Sequence, residues 1–304
     1  MKVSVLIGSR NRASVLERCL KSIILQDILD VEVIVLDDGS NAPKEYDNLV
    51  KSFNNPHIQL FHSAKPLGVS GSRNKLMDIA NGDILFIIDD DAFFHGTDSL
   101  SLVLETFSIN PDVGIVATKI KNHSLAKEDY RVPFSVRSLR KDPSLIDTGR
   151  YSSYFLGGAH AIRKEMIEDC SFYNPELFFG EEELDLSYRA ISHGWKIYYE
   201  PRILVHHVPQ PSVVDKGNKT GEELFHHVKN RFYLAYRYLP ARYLPSYLGV
   251  WLVKYLFDSI EMNALPNFIE GIVEGIGWLR RIKRDPLKPE SIRYFRENLG
   301  RLWY

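Results

Sequence analysis

The sequence predicts an α/β protein: a mostly parallel central sheet flanked by helices on both faces, followed by a C-terminal helical extension. Two observations carry this. Apolar runs of strand length recur along the first 118 residues, and segments of helical period separate them. Scale agrees, because 304 residues hold one or two domains at roughly 150 each and can bury a core without covalent staples.

The elements follow in order. Residues 3–7 (VSVLI) are almost continuously apolar, the pattern of a strand covered on both faces. Ser14 opens S-x-x-E with Glu17, a capping box, ahead of Leu16, Leu20, Ile23 and Ile24 at helical spacing. Residues 31–36 (VEVIVL) form a second strand, closed by the turn Asp37-Asp38-Gly39-Ser40. A polar helix near 43–53 leads to a third strand at 58–61, and a helix at 69–80 to the buried strand 84–88 (ILFII). A helix at 98–108 precedes a fifth strand at 113–118.

Residues 119–155 are polar and irregular and read as an excursion from the sheet. Gly157-Gly158-Ala159 follows, then Glu181-Glu182-Glu183 opens a helix with Leu184, Tyr188 and Ile191 as its apolar stripe. Asp185 and Arg189 are spaced to pair at i,i+4, and Gly194 is the stop. A short strand over 195–199 ends near Pro201, before His206-His207. Residues 247–257 (YLGVWLVKYLF) are strongly apolar and aromatic, but about half the length a membrane span needs.

Composition excludes several classes. Lys and Arg number 38 against 39 Asp and Glu, so no nucleic-acid partner is expected. Cys19 and Cys170 have no CxxC partner, which excludes a disulfide framework and a zinc finger. The opening apolar run is too short for a signal peptide, so a cytoplasmic chain is expected. From Gly271 onward 8 basic residues face 4 acidic ones, and with the aromatic content the tail reads as a helix at a membrane surface, a helical pair capping the sheet, or a dimer contact. The phosphate-binding P-loop, the dinucleotide G-x-G-x-x-G and the serine-hydrolase G-x-S-x-G are all missing.

In sheets of this kind ligands bind beyond the carboxyl ends of the strands, so the polar residues there matter most. Asp89-Asp90-Asp91 places three carboxylates after a buried strand, and a hard divalent cation relieves their repulsion. Mg²⁺ takes one or two carboxylates and fills its other positions with water and phosphate oxygens, so this is a diphosphate site. Asp37-Asp38 ends a second strand in the same crevice, where a carboxylate can accept from a base or a ribose hydroxyl. Ser9 to Arg12 end the first strand. Arg73, at the first turns of the helix after Gly68, suits a phosphate. Crowding among Glu181, Glu182, Glu183 and Asp185 raises the pKa of at least one toward that of a useful base. His206-His207 offers an imidazole ligand, and His226-His227 reads as surface.

Taken in order, these segments resemble glycosyltransferase family 2, inverting enzymes of the GT-A fold. VSVLIGSRNR resembles the opening strand, LDDGS the nucleotide-binding turn, and PLGVSGSRNKLMDIANGDILFIIDDDA the stretch ending in the Asp-x-Asp motif. FLGGAHAIRK resembles the acceptor-side Gly-Gly segment, and FGEEELDLSYRAISHGWKI the Glu-Asp helix. The resemblance runs from Val3 to about Pro240. It implies a transferase unit over 1–240, with a nucleotide-sugar half (1–118) and an acceptor half (119–240), and a helical extension over 241–304.

It also implies residue roles. Gly8, Ser9, Arg10, Asp37, Asp38, Arg73, Asp89 and Asp90 would bind the nucleotide sugar, with Asp38 at a uracil or thymine ring. Asp91 would hold Mn²⁺ or Mg²⁺, with His206 reaching the metal unless His207 takes that place. Gly157, Gly158 and Asp185 would lie on the acceptor side. The usual base is the Asp of Glu-Asp, and here that position is Glu183, with Glu182 as neighbour or alternative. The implied reaction moves a sugar from a UDP- or dTDP-sugar to a hydroxyl of a glycan or lipid-linked acceptor, in surface polysaccharide or lipid-linked glycan assembly. The glutamate at 183 keeps a catalytically silent nucleotide-sugar-binding subunit as a rival, and a sugar-nucleotide pyrophosphorylase is a weaker one. The expected place of such a chain is the cytoplasm, with peripheral contact to the inner face of the membrane.

Overall fold

A computed structural model describes residues 1–28, 30–123, 128–209 and 219–300. The chain opens with β1 (Val3–Ser9), α1 (Ala13–Ile24), β2 (Val31–Asp37), α2 (Pro43–Phe53), β3 (Ile58–His62), α3 (Gly68–Ile79) and β4 (Ile84–Ile88). Then come β5 (Ala92–Phe94), α4 (Ser99–Ile109), β6 (Val113–His123), β7 (Glu128–Arg131), α5 (Val136–Lys141), β8 (Arg150–Ser152) and β9 (Ala159–Arg163). The remainder is α6 (Lys164–Cys170), α7 (Glu182–Ser192), β10 (Lys196–His207), α8 (Lys219–Tyr238), α9 (Leu244–Glu261), α10 (Leu265–Trp278) and α11 (Pro289–Glu297).

The strands form one sheet in the order β3-β2-β1-β4-β9-β6-β10-β5, with β7 on β6 and β8 on β10. β3, β2, β1 and β4 are parallel, as the apolar runs require. Alternate residues feed two cores: Leu6, Leu36 and Ile87 pack under α3 and α7, while Val5, Val35 and Phe86 pack under α1 and α4.

Four expectations need correction. β9 follows the Gly-Gly pair and runs antiparallel to both β4 and β6, so the second half of the sheet is mixed. β10 does not end near Pro201; it continues to His207, with a register irregularity between Glu200 and Leu204 where a residue lacking N–H is tolerated. The described part of 119–155 extends the sheet through β6, β7 and β8, while residues 124–127 lie outside the description. Finally, α1 begins at Ala13 with no side-chain cap, and Glu17 pairs with Lys21 at 2.6 Å instead of closing a box.

The C-terminal helices are fastened to this body. Tyr238, Tyr247 and Phe295 join the same core as Tyr188 of α7. Among the described residues no helix is long and apolar enough to cross a membrane, and residues 301–304 of the extension lie outside the description.

Candidate active site

The carboxyl ends of β1 and β4, the start of α3 and the start of α7 surround a crevice of about 590 Å³, within the range of small-ligand sites. Gly8, Ser9, Arg10, Asp38, Arg73, Asp89, Asp90, Gly157, Gly158, Glu182 and Glu183 all line it.

The three aspartates have different surroundings. Asp90 turns inward and is buried, accepting from Ser9 Oγ at 2.6 Å and Arg12 Nη2 at 2.5 Å. Burial pushes its carboxyl up to about 7 despite those partners. Asp89 lies toward the crevice, 3.5 Å from Arg73 Nη2, and burial raises its pKa too. At Asp91 burial acts upward but is outweighed by His207 and Arg12, whose nitrogens lie 3.2 and 3.0 Å away, and the pKa falls. Arg12, which sequence reading gave no role in the site, therefore offsets part of the charge of the turn by pairing with Asp90 and Asp91; its place in the strand-end SRNR stretch was the available signal.

His207 Nδ1 lies 2.9 Å from Asn122 Oδ1, leaving Nε2 toward Asp91. Ligand atoms of Asp89, Asp91 and His207 lie within 4.8 Å of one another. Two carboxylates and an imidazole braced through its far nitrogen fit a hard or borderline divalent cation such as Mg²⁺ or Mn²⁺. His206 is not part of this group. Neighbours on a strand point to opposite faces, and its ring nitrogens lie 2.8 Å from His95 and 2.6 Å from His123.

Arg73 links the two ends of the crevice. Its Nη1 lies 3.3 Å from Glu182 Oε1 and 3.2 Å from Glu183 Oε1, while Nη2 donates to the Gly157 carbonyl at 3.0 Å. Burial opposes the guanidinium charge, and Glu183, Tyr173, Asp89 and Glu182 more than restore it, so its pKa is raised. Gly157 makes room for the Glu183 carboxylate, which a Cβ at 157 would force to move. Glu182 is almost completely buried and its Oε2 has no hydrogen-bond partner. Burial first, then the neighbouring Glu183 charge, raises its pKa.

Three residues have supporting positions. Asp37 is bonded to His62 Nδ1 at 2.8 Å and the Ser40 N–H at 3.0 Å, and does not line the crevice. Asp38 does, but its oxygens accept the N–H groups of Leu67 (2.7 Å) and Gly68 (3.1 Å), which fixes the turn into α3. Asp185, read as acceptor-side, lies two residues past Glu183 and so on another face of α7. It is fully buried against Arg189 (2.7 Å) and the Tyr238 hydroxyl (2.6 Å). His227, read as surface, reaches Glu181 at 3.2 Å.

Residues 4–171 match the family described as Glycosyl transferase family 2, and the chain belongs to that family. A GalNAc(5)-diNAcBac-PP-undecaprenol beta-1,3-glucosyltransferase of Campylobacter jejuni is 30% identical over 184 residues, 60% of this chain and 57% of that protein. A pre-mycofactocin glycosyltransferase of Mycobacterium tuberculosis is 29% identical over 210 residues, 67% of this chain and 42% of that one. The chain thus matches about half the length of these two relatives. The fold is GT-A. The Staphylococcus aureus TarS 1–349 structure superposes with a TM-score of 0.63 at 15% identity, covering 98% of this chain and 90% of that one. A Pyrobaculum calidifontis mannosyltransferase, solved with GDP-Man and Mn²⁺, gives 0.55 at 17% identity, covering 98% and 87%.

Two outcomes are expected. Gly157→Ala displaces the Glu183 carboxylate and costs on the order of 10²-fold in turnover with the melting temperature nearly unchanged; wild-type turnover in a steady-state assay would refute the steric reading. Glu182 binds its proton more tightly folded than unfolded, so above the ordinary value of 4.5 stability falls as pH rises. Glu182→Gln removes that proton linkage, and its melting temperature should decline less from pH 5 to pH 8 than that of wild type. Parallel declines would show that Glu182 has no raised pKa.

Proposed function

We propose that the protein is an inverting glycosyltransferase that moves a sugar from a UDP- or dTDP-sugar to a hydroxyl of a glycan or lipid-linked acceptor. The observation that carries this reading is the two-ended crevice: Asp89 lines one end, grouped with Asp91 and His207 next to it, Glu182 and Glu183 line the other, and Arg73 lies between them. Direct displacement needs this separation, with the leaving group on one side of the anomeric carbon and the base on the other.

Asp89, Asp91 and His207 would hold the cation, which when bound offsets negative charge on the leaving diphosphate. Arg73, within reach of Asp89, adds a fixed positive charge beside that end. Glu183 takes the proton of the acceptor hydroxyl. The raised pKa of Glu182 supports this assignment, because a carboxyl that holds its proton is not free to take one from the acceptor. Glutamate in place of the family's aspartate is accommodated because Gly157 leaves room for the longer side chain.

The acceptor and its setting belong to the same proposal. The Campylobacter relative is named for an undecaprenol-linked acceptor. α9 exposes Val250, Val253, Phe257 and Ile260, and α10 exposes Leu265, Ile269, Val273 and Ile276, each a row along one helix face. Arg280, Arg281 and Lys283 are exposed just beyond α10. Two apolar rows beside a basic group suit the inner face of an anionic membrane, where a lipid-linked acceptor would be presented.

Calorimetric titration with UDP, dTDP and GDP, each with and without Mn²⁺, is the direct test. Mn²⁺-dependent binding of a pyrimidine diphosphate is expected, and absence of binding to all three would end the transferase reading. Asp91→Asn should lose the Mn²⁺-dependent part. Glu183→Gln should keep binding and lose about 10²–10⁴-fold in turnover; near-wild-type transfer would remove Glu183 as base. For the membrane face, Phe257→Ser and Ile260→Ser in the full chain should each weaken co-sedimentation with anionic liposomes by about tenfold. Unchanged sedimentation would exclude this surface.

A further inference from the structure

The segment that presents the two glutamates has an unusual backbone. Gly180 and Glu181 both lie in the left-handed region, at φ +74° and +72°. Glycine adopts that conformation freely, but a residue with a Cβ does so only when something holds it there. Glu181 is also the residue immediately before α7, and its side chain makes no capping bond to the helix. Its carboxylate is instead drawn away from α7, to Arg231 Nη2 at 2.6 Å and His227 Nδ1 at 3.2 Å, both on α8.

Arg231 is itself fixed on its remaining sides. Nη1 donates to the Tyr247 hydroxyl at 2.6 Å and Nε to the Tyr255 hydroxyl at 3.2 Å, and the guanidinium stacks over the Trp251 ring at 3.7 Å. Those three aromatics recur every four residues on α9 and so share one face. Asn230, next to Arg231 and fully buried, donates to the carbonyls of Phe179 and Gly180 at 2.9 and 2.8 Å. Burial alone would raise the Glu181 carboxyl, and Arg231 and His227 pull it down, which marks the pair as charged. These contacts lie in helices beyond residues 4–171.

We propose that Arg231 is a positioning residue. Through Glu181 it holds the backbone of residue 181 left-handed and thereby aims Glu182 and Glu183 into the crevice, so that α8 and α9 complete the active site without touching a substrate. The proposal rests on the assignment of Glu183 as base, and its test has one readout that does not need that assignment.

In the full chain, Arg231→Lys keeps the charge but loses the forked geometry and much of the stacking. Amide hydrogen exchange of residues 181–185 should then quicken at least tenfold while that of β1 and β4 is unchanged; an unchanged rate at 181–185 overturns the proposal. The second readout is kinetic. Arg231→Met should lower kcat at least tenfold with the donor KM within twofold. Adding Glu181→Gly, which takes the left-handed conformation without an anchor, should bring kcat back to within about threefold of wild type. Wild-type kcat in Arg231→Met, or no recovery in the double variant, overturns the proposal. If wild type itself turns over no donor, the transferase reading fails, and the exchange measurement still decides whether Arg231 positions residue 181.

Discussion

A single enclosed guanidinium sets the geometry of the crevice. Arg73 arrives on α3 with almost no exposure, so its charge has to be met inside the protein. Asp89 from the end of β4 and Glu182 and Glu183 from the first turn of α7 meet it there. These carboxylates come from elements far apart in the chain, and without the cation between them they would repel. The same contact ties the Asp89 end of the crevice to the Glu182–Glu183 end. Three carboxylates against one guanidinium still leave excess negative charge. That excess, added to burial, raises the pKa of Glu182, and a divalent cation beside Asp89 would relieve the charge further.

The adjacent aspartates show how one acidic run can serve two purposes. Asp90 points back into the fold and is tied to Ser9 and Arg12, so it joins the ends of β1 and β4. Asp89 and Asp91 instead group their carboxylates with His207. Arg12 touches both Asp90 and Asp91, which lets a buried acid and a candidate metal ligand sit side by side. The turn is therefore held in shape before any cation or nucleotide arrives, which lowers the ordering cost of binding.

Much of this was legible in the sequence because burial on both faces leaves a plain record. Continuous apolar runs marked β1, β2 and β4, and helical spacing marked α1 to α4. What escaped depended on partners distant in sequence. β9 is a five-residue strand whose direction is set by its two neighbours. β10 passes through Pro201 because an irregularity there removes the need for an N–H. The choice between His206 and His207 turns on strand alternation, which a misplaced strand end hides. Asp185 stands among acids in the sequence, yet helical geometry turns it to Arg189 and Tyr238. Spacing shows that carboxylates are close, but only tertiary contacts show which of them face the crevice.

The family match ends at residue 171, before α7 begins. The lining residues from β1, α3 and β4 thus lie inside the matched region, whereas Glu182, Glu183, Phe178 and Phe179 lie outside it. A nucleotide diphosphate is a nearly constant demand, and the strand ends that would bind it can stay fixed. Acceptors differ in size and setting, so the parts that would present the base to them are the parts free to vary. Here those parts are stabilised by α8 and α9, and α9 also carries one of the exposed apolar rows. A force on that outer face would be transmitted through Tyr247, Trp251 and Tyr255 to Arg231, which is bonded to the residue preceding the glutamate pair. On the roles proposed above, contact with an acceptor-bearing surface and orientation of the base would be mechanically linked, through contacts that lie outside the matched region.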